Sequence, residues 1–425
     1  MDGWRRGAGG IVRPGSGEFP MAVGSLKLGS EAAGTLSRSA ATWYGYLLLS
    51  LLMFLLTIQG NVIPFLQSEL DLSYEAVSLH SAAIAAGMIV TGMVGERVSR
   101  RIGRKRMLEL GAAGLVAGAI LLCVSPVAWA SIASCGIIGL FGALIPVGVP
   151  PLLTELHRAH RDRVFSESAA LSYAFCILAP LSTSFFAWIG LGWRYAILLG
   201  AAYGTGLLVW FARLRLPEPE RKAAAAPQPL PLLYWVCWCV MIVSVAIEFS
   251  VLLWAPAYLE TVSGFSPALA AAVAAAFPIG MMIGRIGSSR LVQSLPTRAV
   301  FVGSLITTLV GFAIYWGVAG RLPGALGIFV LALGIAPLYP LALGFAISAA
   351  HGASDAASAR LMVGVGLAIL TAPTLLGAAA DRVGLWRAHL TLPILIVAAA
   401  ALLMLAKLLE RPADSLAPLA GSGQG

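Results

Sequence analysis

Charge is what this chain has least of. Only 11% of its 425 residues are Asp, Glu, Lys or Arg, against about 25% in soluble domains. With 59% hydrophobic residues and a mean hydropathy of +0.88, it is not the chain of a soluble core. Acids are scarcer still, 19 against 28 Lys and Arg. Cysteine is rare, and Cys123, Cys135, Cys176, Cys237 and Cys239 all fall inside apolar stretches. A disulfide framework would place them in loops, so they read as small apolar packers. There is no Walker loop to cradle ATP, no nucleophile elbow and no HExxH. His157 and His160 stand at i, i+3 spacing, but no third ligand is in view and a metal site needs three or four. No metal, no cofactor and no enzyme activity is expected. Basic residues without stacking aromatics or a binding motif exclude nucleic acid as the expected partner.

What the chain does have is length of apolar run. Twelve segments of about 20 residues, the length that crosses a bilayer, cover 44–67, 74–96, 107–125, 129–153, 164–189, 194–213, 231–259, 267–289, 299–319, 325–349, 359–380 and 387–408. This predicts an all-α membrane protein. Residues 1–40 are rich in Gly, Ser and Arg and read as a disordered cytoplasmic tail, and 411–425 as a second tail. No signal peptide is evident, because the first sustained apolar run, near Tyr44, is too long for one. Residues 214–230, with Pro217, Pro219, Arg221, Lys222 and Pro227, cannot span and form a cytoplasmic linker. That divides the chain into six-helix bundles at 41–213 and 231–410.

The basic residues set the orientation. Six of them lie between Arg97 and Arg106, and Arg158, Arg161, Arg163, Arg213, Arg215, Arg221 and Lys222 fall on the same side. Cytoplasmic loops carry such an excess, so both termini are expected in the cytoplasm of a plasma membrane, the inner membrane if bacterial. The net charge of +9 then faces anionic headgroups of the bilayer.

An internal repeat joins the halves. Shifting the chain by 193 residues brings Leu72-Ser73 onto Phe265-Ser266, Gly87-Met88 onto Gly280-Met281, and Arg97 onto Arg290. It also brings Ala179-Pro180 onto Ala372-Pro373 and Trp193-Arg194 onto Trp386-Arg387. One offset across separated landmarks implies two parallel copies of six spans about an axis along the membrane normal.

Gly92-Met93-Val94-Gly95-Glu96-Arg97-Val98-Ser99-Arg100-Arg101 resembles the G-x-x-x-D-R-x-G-R-R/K signature of the major facilitator superfamily, with Glu for Asp and Ser for the second Gly. A register four residues later fits Gly103-Arg104-Lys105 but puts Arg100 in the acidic position; the first is preferred for its acid and its loop edge. The second-half copy, Gly284 to Arg290, lacks an acid. Gly192-Trp193-Arg194 is similar to the family's entry to its sixth span. Trp254-Ala255-Pro256-Ala257-Tyr258-Leu259, with Gly284-Arg285, is loosely similar to fucose-permease-like members. The resemblance implies twelve helices in two pseudo-symmetric halves. It also implies a conformational latch at Gly92, Glu96, Arg97, Arg101, Arg285 and Arg290. The fifth span lacks the Gly-Pro of the family's proton-driven drug exporters, since Ala179 precedes Pro180, which disfavours drug antiport.

Chemistry in such a chain belongs to polar groups at membrane depth. An ionisable group at the bilayer centre costs about 2.5–3.5 kcal/mol on insertion scales. Glu248 stands about 17 residues into its span, near the midplane. Its expected states are protonated or paired with a cationic substrate; an interhelical hydrogen bond is the structural alternative. Arg285 lies somewhat over one turn inside Arg290 and reads as a snorkelling or latch residue. Glu167, in the first turn of its span, suits the positive end of the helix dipole. Gln59, Asn61, Tyr173, Tyr339 and Thr371 are the polar residues expected to line a cavity. Pro146, Pro150 and Pro151 in the fourth span, and Pro337 and Pro340 in the tenth, mark bends.

The expected function is secondary active transport of a small molecule by alternating access, with protons as a coupling ion, by a monomer. The alternative is a sensor, scaffold or intramembrane enzyme on the same fold.

Overall fold

The computed structural model describes residues 38–217, 230–318, 320–350 and 354–410. The expected terminal tails and most of the linker fall outside them. The described residues form twelve helical spans. The first six are α1 (Ala40–Leu70), α2 (Tyr74–Ile102), α3 (Arg104–Val124), α4 (Ala128–Leu156), α5 (Arg161–Trp188) and α6 (Arg194–Trp210). The second six are α7 (Leu232–Thr261), α8 (Pro267–Leu291), α9 (Thr297–Gly317), α10 (Arg321–Ala349), α11 (Ser354–Val383) and α12 (Leu385–Leu409). Eleven contain a stretch long and apolar enough to cross a membrane; α6, at 17 residues, is the shortest.

Several helices outrun their apolar stretches because caps, not hydropathy, end them. Ser39 accepts from the Thr42 amide to start α1, and Asp71, left-handed at φ 50°, ends it. Ser73 accepts from the Ala76 amide at 3.1 Å and starts α2. Its repeat partner Ser266 makes no such bond, and Pro267 occupies the first helical position of α8.

The helix breaks follow proline. A proline has no N–H and its ring crowds the carbonyl four residues back. The breaks fall at Ala143 in α4, ahead of Pro146, at Ala275 in α8, ahead of Pro278, and at Ala336–Pro337 in α10, ahead of Pro340. Ala143 and Ala336 are related by the 193-residue repeat. So are Gly87 and Gly280, and both stand where a side chain would collide with backbone. A Cβ at Gly87 would lie 2.4 Å from the Leu140 nitrogen, and one at Gly280 2.7 Å from the Phe329 carbonyl. Lipid offers no hydrophobic drive between helices, so such close approaches carry the packing.

Helices α1–α6 form one half and α7–α12 the other. The halves meet where α2 packs on α11, α5 on α8, and α1 on α7. At the ends opposite the termini, Glu69 of α1 takes the Arg194 guanidinium at 2.6 Å and the Trp193 indole N–H at 2.8 Å, fastening α6. The repeat partner Trp386 stacks on Trp316 at 4.6 Å and does the same for α12.

The ends that carry the termini form a basic face. There Arg38, Arg163 and Tyr46 converge on Glu167, which is thus an ion-pair centre joining α1 to α5 as well as a first-turn acid. The α2–α3 corner differs from the preferred motif register. α2 continues to Ile102, and the only break is Gly103 at φ 82°, a conformation that favours glycine. At this corner Lys105 reaches the Phe211 carbonyl at 2.8 Å and Glu109 at 2.9 Å, and Arg104 ties α3 to α4. Arg104 is buried, donates to both Glu155 oxygens at 2.7 Å and reaches the Pro217 carbonyl at 3.1 Å. Gly92, Arg97 and Arg101 are exposed, as is Arg290, and of Glu96 only the backbone is described. The four-residue shift has a physical cause: a helix can run through Arg97 and Ser99, whereas a positive φ needs Gly103.

Candidate functional site

A cavity of about 420 Å³ lies between the halves. Its walls run from Phe165 and Ser168, in the second turn of α5 at the basic face, to Leu252 and Ile369 deeper in the bundle. Most of the lining is apolar. Met88 of α2 and Met281 of α8, partners in the repeat, face it from the two halves. Its two charged lining residues are Glu248 and Arg285.

Glu248 is carried by α7, with Ser244 one turn before it spending its hydroxyl on the Val240 carbonyl. Arg285 comes from α8, and its Nη2 stands 3.9 Å from Glu248 Oε1. That is an ion pair beyond hydrogen-bond range. The guanidinium also lies 5.1 Å from the centre of the Tyr173 ring on α5, a cation–π contact across the two halves. Arg285 Nε is buried without an acceptor. Tyr339 of α10, just past the proline break, completes the polar part of the wall.

The expectation for Arg285 is therefore corrected in position. It is not held at the loop edge but turns into the cavity. Its stem could reach either way; the acid on α7 and the aromatic face on α5 supply an attractive site on the inner side. Glu248, Tyr173 and Tyr339 line the cavity, together with Ser172. Gln59 instead faces a separate cleft of about 20 Å³ beside Gly60 and Ser81. Asn61 is buried and donates to the Thr57 carbonyl at 2.9 Å. Thr371 is exposed, its hydroxyl bonded to the Leu367 carbonyl. These three depart from expectation because depth can be read from position in a span, whereas facing depends on helix rotation.

Beyond the cavity, towards the face opposite the termini, the halves are sealed. Gly60 of α1 lies against α7 so closely that a Cβ would stand 2.6 Å from the Leu252 carbonyl. The Trp254 indole packs edge-on against Tyr74 at 5.7 Å and donates to the Pro373 carbonyl at 3.1 Å. Asp381, near the end of α11, accepts from the backbone amides of Tyr74 at 2.8 Å and Glu75 at 2.7 Å. An acid from one half thus caps a helix of the other. Sequence reasoning passed over Asp381; its signal was an acid at a span end on the same face as the start of α2.

His157 Nε2 lies 2.7 Å from the Thr42 hydroxyl. Among the described residues no group of three or more His, Cys, Asp or Glu could hold a metal ion.

A family model described as Major Facilitator Superfamily matches residues 45–359. No curated protein matches the sequence. Among solved structures, a bacterial homologue of the human lysosomal transporter Spinster, inward-facing and unoccupied, is similar with a TM-score of 0.67 at 14% identity, over 87% of this chain and 98% of that one. A D-xylose–proton symporter gives 0.63 at 16% identity, over 85% and 96%. The nucleoside transporter NupG gives 0.69 at 10% identity, over 87% and 100%. At these identities the likeness is one of fold.

Proposed function

The chain belongs to the major facilitator superfamily, and from that premise we propose that Glu248 and Arg285 form the coupling centre of a proton-linked, alternating-access transporter. The chain is a multi-pass membrane protein and a secondary transporter of a small molecule. Its work is translocation rather than catalysis. The observation that carries the coupling role is the placement of one acid and one base, 3.9 Å apart, in an otherwise largely apolar cavity between the halves.

The basic face is cytoplasmic, in a plasma membrane that is the inner membrane of a bacterium, with both termini inside; the Lys/Arg excess supports this. The cavity then reaches towards the cytoplasm, and the Asp381 seal closes the outside. Residues 41–213 and 231–410 are the two rocking bodies, with 214–230 between them. Each monomer carries a whole cavity. When the bodies rock the other way, the basic face closes, and Gly92, Glu96, Arg97, Arg101 and Arg290 are the latch of that state.

Glu248 can hold a proton in a place where a lone carboxylate is costly. Protonation frees Arg285 from its partner, so the proton state of one residue changes the binding capacity of the other. The test is uptake into proteoliposomes across a substrate panel, with and without a pH gradient. Glu248→Gln should abolish accumulation against a gradient while leaving downhill exchange. Normal gradient-driven accumulation by Glu248→Gln would remove Glu248 from the coupling mechanism.

A further inference from the structure

The cavity's few polar groups also discriminate among substrates. A neutral polyol would need many hydrogen-bond partners, and the walls offer Thr57, Ser168, Ser172, Tyr173 and Tyr339 beside the charged pair. A cation would have to settle beside Arg285. An anion has a place: a guanidinium whose Nε lacks an acceptor and whose Nη2 is 3.9 Å from its acid, beyond hydrogen-bond range. The planar fork of Arg suits a carboxylate or sulfonate. The surrounding Phe165, Phe249, Phe277, Met53, Met88 and Met281 suit an apolar body. At about 420 Å³ the cavity lies within the usual range of about 300–1,000 Å³ for small-molecule sites.

We propose that the substrate is an organic monoanion with an apolar or aromatic body, seated on Arg285, and that it binds together with one proton on Glu248. This rests on the coupling role given to Glu248 above. The charge count carries the stoichiometry. Empty, the site holds one negative and one positive group and is neutral. An anion added alone leaves one uncompensated negative charge beside a carboxylate, in a cavity of low polarity. Anion and proton together restore neutrality: the substrate pairs with Arg285 and Glu248 becomes a neutral acid. The proton comes from water on the side to which the cavity is open and is released with the substrate on the other side. No bond in the substrate changes.

The titratable groups facing Glu248 are Arg285 on α8, Tyr173 and Cys176 on α5, and Tyr339 on α10; the lining residues of α1, α2 and α11 carry none. Glu248 is therefore the group expected to set the pH dependence of binding.

The probes are benzoate, phenylacetate and benzenesulfonate, with benzylamine, benzyl alcohol and phenylalanine as the cationic, neutral and zwitterionic counterparts. Benzenesulfonate is decisive because it stays ionised, so a proton taken up with it must sit on the protein. Binding to purified full-length protein is read by tryptophan fluorescence. The acids should bind, and above the titration of Glu248 their apparent Kd should rise about tenfold per pH unit, as one linked proton requires. Glu248→Gln should keep acid binding and make it flat with pH. Arg285→Ala should weaken it at least tenfold, and Arg285→Lys, which keeps the charge without the fork, by less. Thermal unfolding of each variant separates lost binding from lost fold. In proteoliposomes, uptake should follow the pH gradient and ignore an imposed membrane potential.

The monoanion class is overturned if none of the three acids binds, or if the amine, alcohol or zwitterion binds tighter than all of them. It is also overturned if acid binding is untouched by Arg285→Ala in a folded protein. If another class is driven by the pH gradient and Glu248→Gln stops it, the class fails while the coupling role stands. If acids bind through Arg285 but Glu248→Gln still accumulates them normally, the coupling role fails and the class stands.

Discussion

Asp381 carries the most direct test of how the two halves are held in their present arrangement. Its two carboxylate oxygens take the amides of Tyr74 and Glu75, two of the four donors that a helix start leaves without intrahelical partners. Ser73 takes a third, that of Ala76, from within the same half. Of these three bonds, only the two to Asp381 require α2 and α11 to be together, so they, unlike the Ser73 bond, favour the sealed state over one in which the outer ends have separated. Losing a side-chain cap costs about 0.5–2 kcal/mol, and a negative charge at a helix N-terminus contributes about 0.3–1 kcal/mol. Water recovers part of this in the open state, leaving a differential of about 1–2 kcal/mol, or roughly 5- to 30-fold in the equilibrium. Ser78 is fully buried on α2 beneath this seal, so a cysteine there reports opening. In a Ser78→Cys background, adding Asp381→Ala should raise the maleimide labelling rate about 5- to 30-fold over the parent. Asp381→Asn should give a smaller rise, and Ser73→Ala, which weakens α2 equally in both states, little change. A rate within twofold of the parent for Asp381→Ala would refute the idea that this cap holds the halves closed.

Arg104→Ala should lower stability by about 1.5–3 kcal/mol, because it strips charged hydrogen bonds from half-buried Glu155. Arg97→Ala, at an exposed site, should stay within about 0.5 kcal/mol in thermal unfolding yet shift the conformational labelling of the basic face. Gly60→Ala should hinder sealing and slow transport turnover, since its Cβ would press on the Leu252 backbone; unchanged turnover would mean that α1 and α7 do not need this approach. Single cysteines introduced at 214–230 should be labelled only after permeabilisation of cells, and labelling from outside intact cells would reverse the orientation.

The frame of this protein is legible because it rests on quantities that a sequence states outright. Apolar length gives the spans, Lys and Arg give a basic face, and Pro146 and Pro340 give two of the breaks, whereas Pro150 and Pro151 lie within a continuous helix. Gly87 and Gly280 recur at one offset because both let a neighbouring backbone approach. Cap positions shift boundaries by a few residues, as at Ser39 and Asp71, since hydropathy says nothing about where the hydrogen-bond ladder ends. Position along a helix is read by counting: Glu248 lies midway along the 30 residues of α7. Facing is not. Arg285, Thr371 and Gln59 each carry the right chemistry at a plausible depth, yet only Arg285 turns into the main cavity. Helix rotation is set by packing against neighbours, and no local pattern in a nearly all-apolar helix reports it.

The repeat itself explains why the site is harder to read than the fold. Shifted by 193 residues, Glu248 falls on Leu55, Arg285 on Gly92, Tyr339 on Pro146 and Tyr173 on Gly366; Asp381 falls on Trp188. None of these five residues has a charged counterpart in the other half. Met88 and Met281, by contrast, are paired and face the cavity from both sides. The duplicated positions build the two bodies and the apolar walls between them, a demand that is the same for each half. Recognition and coupling need an acid on one helix and a base on another, with no second copy competing for either. Positions where an otherwise regular repeat breaks from apolar or glycine to charged are therefore where function should be sought in this chain, and Glu248, Arg285 and Asp381 are three such positions.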